Sequence, residues 1–144
     1  MAYRIARIRS KIGFERAVAL NKLIFGFEPH EGPESGNVIW LATDSTGEAV
    51  GFGSIRPTLD HPEAAFLSRA GVLSGHRRKG LHSRLLIARE NYALKLGFEY
   101  IWTYTAPWNL TSSNNLIKKG YLLFAPWWAM DKFLYFKKEL PQPL

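Results

Sequence analysis

The sequence predicts an α/β domain built on a mixed sheet, with its elements in the order β-α-β-β-β-α-β-α-β-β. Two kinds of run support this class. Short runs rich in apolar and β-branched residues indicate strands, and longer runs with apolar residues at helical spacing indicate helices. The two kinds are interleaved along the chain, without an internal repeat or a low-complexity tract. We expect residues 1–144 to form one domain, because this length is sufficient for one buried core.

The elements of the first half follow from alternation and turn residues. Ser10 is a suitable N-cap for the first helix, and the turn Asp44–Gly47 joins two strands into a hairpin. The predicted segments are a strand Ala2–Ile8, a helix from Ser10 to about Gly26, a loop Glu28–Gly36, strands Val38–Ala42 and Ala49–Ile55, a loop Pro57–Pro62 and a strand Ala64–Leu73.

The second half contains two further helices, each followed by a glycine that suits a helix C-terminus. One helix runs from about Gly80 to Leu96 before Gly97, and a short one begins at Asn109 and is closed by Gly120. The predicted strands are Tyr100–Thr105, Tyr121–Phe124 and Phe133–Lys137, and the loop Ala125–Met130 joins the last two.

Composition and charge limit the possible functions. The chain is 47% hydrophobic and 14% aromatic, which excludes an intrinsically disordered protein. It has no cysteine, which excludes disulfides, thiolate zinc sites and a cysteine nucleophile, and its four histidines lack metal-ligand spacing, so we expect no metal. A net charge of +7 suits a polyanionic partner, either a nucleic acid or a phosphorylated cofactor.

The N-terminus and the hydropathy pattern bear on localisation. Met1–Arg9 alternates apolar with basic residues and lacks the continuous apolar run of a signal peptide. No segment reaches transmembrane length. We therefore expect a cytoplasmic protein with no membrane partner.

The run Val72–Leu86 has the properties of a phosphate-binding loop. An apolar strand end is followed by three consecutive cations and a glycine, and then by an amphipathic helix. The first N–H groups of a helix have no intrahelical acceptor, and the helix dipole adds partial positive charge there. Gly80 allows a ligand to approach the backbone closely. Together these features favour binding of a phosphate or pyrophosphate.

This run resembles motif A of the GNAT superfamily of acyl-CoA-dependent N-acyltransferases, which reads Arg/Gln-x-x-Gly-x-Gly/Ala after a strand. Arg77 and Gly80 match, and His82 stands where the family has glycine or alanine. The segment Asn109–Tyr121 is similar to motif B of the same family, with matches at Asn109, Ser112, Gly120 and Tyr121. The order of elements is similar to the family's from about residue 2 to 140.

The resemblance implies a mostly antiparallel mixed sheet with helices on both faces. It also implies a V-shaped gap between the strands Ala64–Leu73 and Tyr100–Thr105, in which the pantetheine arm of acetyl-CoA would bond to backbone like an added strand. The residues implied to bind this cosubstrate are Val72, Ser74, Arg77, Arg78, Lys79, Gly80, Leu81, His82, Ser83 and Asn109. Two alternatives stay open: Asn109 as a helix cap without a ligand, and the cations as a solvated turn.

Transfer of an acetyl group to an amine requires a neutral amine, an oxyanion donor and a proton for the leaving thiolate. The family that this chain resembles often has a base glutamate at the position of Ser68 and a tyrosine at the position of Leu116. This chain therefore lacks both usual groups. Tyr104 or Tyr121 could supply the proton, although an aromatic residue on a strand is more often core packing. The backbone N–H around Val72 could be the oxyanion donor. The remaining base candidates, none of them singled out, are Glu48, Asp60, His61 and Glu63.

The acceptor would be a small-molecule or protein amine. The resemblance implies that Glu28–Glu34 and Pro126–Asp131 line its side of the site, where carboxylates and the adjacent Trp127 and Trp128 could hold a cation. Alternatively, the acidic loop is solvated and the tryptophans cover the core.

Three functions stay open: an acetyl-CoA-dependent N-acetyltransferase, a non-catalytic CoA-binding domain and a nucleic-acid-binding module. The concentration of cations at one turn argues against the third. A homodimer is possible.

Overall fold

A computed structural model describes residues 2–26, 32–130 and 132–142 of the chain. The described residues form seven strands and three helices in the predicted order. The strands are β1 Arg4–Arg7, β2 Val38–Thr43, β3 Ala49–Thr58, β4 His61–Val72, β5 Tyr100–Thr105, β6 Leu122–Phe124 and β7 Leu134–Glu139. The helices are α1 Lys11–Phe25, α2 Leu81–Lys95 and α3 Leu110–Lys118.

The strands form one sheet in the order β1-β2-β3-β4-β5-β7-β6. β4 and β5 run parallel, with Ala64 opposite Tyr100 and Phe66 opposite Trp102. The pairs β1–β2, β2–β3, β5–β7 and β6–β7 are antiparallel. The prediction of a mixed, mostly antiparallel sheet is therefore confirmed.

The chain divides into two compact units. The first unit comprises Met1–Arg56 and Leu67–Tyr92, and the second comprises Pro57–Phe66 and Ala93–Leu144. One core cluster of the first unit lies between α1 and the strands β2 and β3, and it consists of Ala17, Leu20, Ile39, Leu41 and Phe52. The core of the second is mainly aromatic, with Ala64, Phe66, Trp102 and Tyr135 at its centre.

Helices cover both faces of the sheet in the first unit. Phe52 of β3 is buried against Ala17 and Leu20 of α1. The next residue, Gly53, faces the opposite side, where a β-carbon would lie 3.0 Å from Arg89 Nε of α2. Because successive strand residues point to opposite faces, α1 and α2 pack on opposite faces of β3.

The helix ends follow the signals in the sequence. Ser10 caps α1 by accepting a hydrogen bond from the Gly13 N–H at 3.1 Å. Gly97 and Gly120 both have positive φ, 83° and 94°, and each begins the turn that ends its helix. After α3, the Tyr121 N–H bonds to the Leu116 carbonyl and the Gly120 N–H to that of Ile117, which is a Schellman motif.

The prediction of a loop over Pro57–Pro62 is wrong. β3 continues to Thr58 and β4 begins at His61, so that only Leu59 and Asp60 connect them. Asp60 adopts a φ of 64°, a conformation that aspartate tolerates in tight turns. The Trp102 indole N–H donates to the Thr58 hydroxyl at 2.7 Å, which ties this end of β3 to β5.

Two smaller differences concern strand ends and a loop. Tyr121 and Phe133, both predicted as strand residues, lie just before β6 and β7, and β7 continues two residues beyond Lys137. The predicted loop Glu28–Gly36 falls partly on residues 27–31, outside the described residues. No helix within the described ranges combines the length and the apolar character needed to cross a bilayer.

Candidate functional site

The segment between β4 and α2 folds into an open loop at the helix start. β4 ends at Val72, a 3-10 turn covers Ser74–His76, and α2 begins at Leu81. Arg78 and Gly80 have positive φ, 62° and 79°, so two residues of this segment adopt the left-handed conformation before the helix begins. A β-carbon on Gly80 would meet no atom within 4 Å, which leaves this side of the backbone open to a ligand.

The first turn of α2 offers N–H donors to an anion. The Arg84 N–H bonds to the Gly80 carbonyl at 3.1 Å, which makes Gly80 the last residue before the helix. The N–H groups of Leu81, His82 and Ser83 therefore belong to the part of a helix that has no intrahelical acceptors. This turn contains no acidic residue. The helix dipole thus remains available to an external anion.

Three exposed cations flank these donors. Arg77, Arg78 and Lys79 are all exposed. Arg78 is the residue with the first positive φ, and Arg77 and Lys79 lie on either side of it. The Arg77 Nε donates to the Val72 carbonyl at 3.2 Å, so this guanidinium is held against the end of β4. The predicted residues from Val72 to Ser83 thus cover the end of β4, the loop and the first turn of α2.

His82 lies at the start of α2 among positive charges. Loss of solvent around the ring lowers the pKa of His82 below its ordinary value, and the nearby Arg89 and Arg77 lower it further. The unfolded chain therefore binds more protons as the pH falls through about 6.5, the ordinary value, and this lowers the stability of the fold. An anion bound here would have the opposite effect on the pKa.

Tyr3 contacts both sides of this loop. Its hydroxyl lies 3.0 Å from His76 Nδ1, and the two rings meet edge to face at 5.8 Å. Its carbonyl accepts a hydrogen bond from Arg84 Nη2 at 3.2 Å. Tyr3 thus connects the residue before the cations with the first turn of α2. Sequence analysis missed this contact, because nothing in the sequence pairs residues 73 positions apart.

Ser68, at the position where the family usually has a base glutamate, is hydrogen-bonded to a second serine. Ser68 Oγ and Ser54 Oγ are 2.6 Å apart, and Ser54 donates to the Arg69 carbonyl at 2.9 Å. Since the Ser54 proton is used in that bond, Ser68 is the donor to Ser54. The pair links β3 to β4.

In the second unit, Asn109 caps α3. Its side chain accepts a hydrogen bond from the Ser112 N–H at 3.2 Å, which confirms the cap interpretation. One residue further on, Ser113 Oγ lies 2.9 Å from Thr105 Oγ1, and this buried bond holds α3 to β5. Asn109 itself is exposed, so its predicted role towards a ligand stays a prediction.

The two tyrosines proposed as proton donors have different surroundings. Tyr104 is half-buried, stacked parallel to Phe66 at 5.8 Å and packed against Phe133 at 4.7 Å. Tyr121 has 0% of its surface exposed and directly follows the glycine that ends α3. Leu116, where a tyrosine would be usual, is half-buried and supplies the carbonyl that Tyr121 N–H bonds.

In the second unit, the two tryptophans predicted on the acceptor side meet His61, one of the base candidates. The His61 ring packs on Trp128 at 4.7 Å, and Trp127 lies edge-on to both rings while remaining 84% exposed. His61 Nδ1 is 3.7 Å from a Glu63 carboxylate oxygen. Of the acceptor loops, residues 28–31 and Asp131 lie outside the described residues. Glu48 and Asp60 are exposed at turns.

Two further observations complete the site. Within the described parts of the chain, no group of three or more His, Asp or Glu side chains is arranged to hold a metal ion. Arg89, which the sequence placed on α2 without a role, is buried and donates to the carbonyls of Ser54 and Ser68. The only sequence signal for it is a charged residue among the apolar positions of the helix.

Comparison with known proteins gives one family and a fold. Residues 8–121 match the profile described as the acetyltransferase (GNAT) family. No curated protein matches the chain significantly. Among solved structures, the chain is similar to an IAA acetyltransferase from Bacillus cereus, with a TM-score of 0.78 and 16% identity over 96% of this chain and 100% of that one.

Two more structures show the same fold. An acetyltransferase of the GNAT family from Staphylococcus aureus has a TM-score of 0.74 and 15% identity, covering 97% of this chain and 100% of its own. The ribosomal-protein-S18-alanine N-acetyltransferase from Escherichia coli has a TM-score of 0.74 and 14% identity, covering 99% and 96%. At these identities the likeness concerns the fold alone.

Proposed function

Because the chain belongs to the acetyltransferase (GNAT) family, we propose that it transfers an acetyl group from acetyl-CoA to a primary amine of an acceptor. The observation that carries this proposal is the loop at the start of α2. It combines open N–H donors, a helix dipole without a compensating acid, three exposed cations and a glycine with an open side. A pyrophosphate fits this combination of charge and donors.

Each part of acetyl-CoA has a candidate partner in the chain. The N–H groups of Leu81–Ser83 and the cations Arg77–Lys79 would hold the pyrophosphate, and the backbone at Val72 and Ser74 would bond to the pantetheine arm. Asn109 remains a candidate for the pantetheine region alongside its role as a cap. The residues 1–144 would act as one acetyltransferase domain.

The reaction forms a C–N bond and breaks a C–S bond. The neutral amine nitrogen attacks the thioester carbonyl, and the resulting oxyanion would be stabilised by the backbone N–H around Val72. Collapse of the tetrahedral intermediate expels the CoA thiolate. The thiolate takes a proton from a tyrosine hydroxyl, either that of Tyr104 or that of Tyr121. The amine loses its proton to water or to a carboxylate, because the neutral hydroxyl of Ser68, where a glutamate would be usual, is too weak a base to take it.

Two measurements test the proposal together. Acetyl-CoA should raise the melting temperature by an amount that grows with the logarithm of its concentration. Release of the CoA thiol in the presence of an amine panel, including a polyamine, an aromatic amine and an N-terminal peptide amine, should exceed release without an amine. A melting temperature unchanged at millimolar acetyl-CoA contradicts the proposal, whereas a shift without amine-dependent thiol release indicates a non-catalytic CoA-binding domain.

Replacing Tyr104 with phenylalanine tests the proton donor. The change retains the ring packing against Phe66 and Phe133 and removes only the hydroxyl. We expect kcat to fall about a hundredfold, in the range for loss of a general acid, with little change in KM for acetyl-CoA. Tyr92→Phe on α2 is the matched control. If Tyr121→Phe lowers kcat and Tyr104→Phe does not, the assignment moves to Tyr121; if neither does, water protonates the thiolate.

Replacing Tyr3 with phenylalanine tests its connection to the segment Val72–Ser83, which we call the phosphate loop. The hydrogen bond to His76 is lost while the edge-to-face ring contact is retained. We expect KM for acetyl-CoA to rise about threefold to tenfold with kcat unchanged, as for the loss of one hydrogen bond. Combining Tyr3→Phe with His76→Gln should add little to either change, and full additivity would show that the two residues act separately.

A further inference from the structure

The first unit also has a shallow, open groove, whose lining residues differ from those of the loop at the start of α2. This groove has a volume of about 320 Å³ and is lined by Ile5 and Arg7 of β1, Trp40 of β2 and one side of α2 between Arg84 and Asn91. None of the residues from Val72 to Ser83 lines it. Its volume is at the lower end of the range for small-molecule sites.

Two arginines supply the charge of the groove. Arg84 is oriented by its hydrogen bond to the Tyr3 carbonyl at 3.2 Å, and the Arg7 guanidinium lies 5.2 Å from the centre of the Tyr92 ring. These contacts use one donor of Arg84 and one face of Arg7, and a guanidinium has five N–H donors. Both residues are exposed, and no aspartate or glutamate is among the lining residues.

The rest of the lining is mainly apolar. Trp40 forms part of the floor with only 8% of its surface exposed, while Ile87 on the rim is 50% exposed. Ile5 and Ala88 are half-buried beside them, and Asn91 adds a side-chain amide. A surface with an apolar floor, a few polar groups and positive charge without acid favours an anion that has an apolar body.

We propose that this groove binds a small organic anion, with a carboxylate or phosphate held by Arg7 and Arg84 and an apolar or aromatic body on Trp40 and Ile87. The ligand differs from acetyl-CoA in its site and in its size. The side of α2 from Arg84 to Asn91 spans about 10 Å, which suits a body of one ring or a short chain. The proposal does not depend on the acetyltransferase function.

The test is an NMR titration of the ¹⁵N-labelled chain with phenyl phosphate and, separately, with benzoate. We expect saturable shifts of the Trp40 indole and Asn91 side-chain amide signals. These shifts should be the same in the absence of CoA and in the presence of saturating CoA. The response to the two probes distinguishes a phosphate from a carboxylate ligand. Arg7→Gln with Arg84→Gln should raise the dissociation constant at least tenfold, and the charge-matched pair Arg4→Gln with Lys95→Gln should leave it within twofold.

Three outcomes overturn the proposal. One is the absence of saturable shifts at Trp40 and Asn91 with both probes. Another is a set of shifts confined to the amides of Leu81–Ser83 and abolished by CoA, which shows that the probe binds the phosphate loop. The third is equal binding of phenol and phenyl phosphate, which shows that the arginines do not contribute. Circular dichroism of each variant confirms that the fold is retained.

Discussion

Replacing His82 with glutamate is expected to stabilise the folded chain and to weaken its binding of acetyl-CoA about tenfold to a hundredfold. The first turn of α2 contains no acidic residue, and a carboxylate there interacts favourably with the helix dipole by about 0.3–1 kcal/mol. The same change removes an imidazole whose pKa is lowered by loss of solvent and by Arg89 and Arg77. The first effect favours the folded chain throughout the neutral range, and the second favours it only below about pH 6.5, where the unfolded chain would protonate the histidine.

The loss of binding has a separate cause. The new carboxylate occupies the place of the anion that the Leu81–Ser83 donors would bind, and it neutralises part of the charge of Arg77–Lys79. His82 lies at the protein surface, so the substitution does not enter the buried core, and the same local loss of solvent that lowers the pKa of His82 offsets part of the gain from a charged glutamate. A turn with only a structural role would gain stability without losing any function, so opposite signs of the two effects identify a phosphate site.

The measurements are a thermal unfolding curve without ligand and isothermal titration with acetyl-CoA. Ala19→Glu is the control, because it makes an exposed helical position acidic in the middle of α1, away from the loop. We expect the control to bind acetyl-CoA within about twofold of the parent chain. Unchanged affinity in His82→Glu would show that the pyrophosphate does not bind at this turn.

Much of the fold follows from signals within a few residues of each element. Ser10 and Asn109 act as N-caps because their side chains reach an N–H three residues later, and a cap of this kind depends on local sequence alone. Gly97 and Gly120 end their helices because they adopt positive φ without strain. The element order could therefore be predicted, and with it the loop that carries the candidate site.

The hairpin between β3 and β4 could not be predicted in the same way. Pro57 and Pro62 indicate a loop in sequence, since proline cannot donate a ladder hydrogen bond. In the structure, both prolines are exposed within strands, and only Leu59 and Asp60 turn the chain. The bond from Trp102 to Thr58 joins residues 44 positions apart, and no local pattern encodes such a contact.

The site shows the same division between local and distant information. The donors and cations of the phosphate loop are consecutive in the sequence and were found there. Tyr3, which contacts His76 and Arg84, and Arg89, which bonds to β3 and β4, act through contacts that exist only once the sheet has formed. A charged residue on an otherwise apolar helix face is the one sequence signal that could have indicated Arg89.

Replacing Arg89 with methionine is expected to destabilise the chain by about 2 kcal/mol, because it leaves buried carbonyl groups without a hydrogen-bond donor. The residue is 5% exposed, and its Nη1 donates to the carbonyls of Ser54 and Ser68 at 3.2 and 3.3 Å. Methionine fills a similar volume and packs well in irregular cores, but it leaves these carbonyls without that donor. Urea unfolding of both chains measures the difference.

The exposed Arg84 provides the matched control, because it also donates to a backbone carbonyl, that of Tyr3, from the same helix. Arg84→Met should lower the free energy of unfolding by less than about 1 kcal/mol, since water can replace a lost donor at an exposed position.

A second readout separates the effect of the Arg89 charge from the effect of its packing. Arg89 lowers the pKa of His82, so Arg89→Met should raise that pKa towards its ordinary value in an NMR titration of the folded variant, and Arg89→Lys should not. Equal stability of Arg89→Met and the parent chain would show that solvent reaches the Ser54 and Ser68 carbonyls, and that the guanidinium does not hold β3 and β4 together.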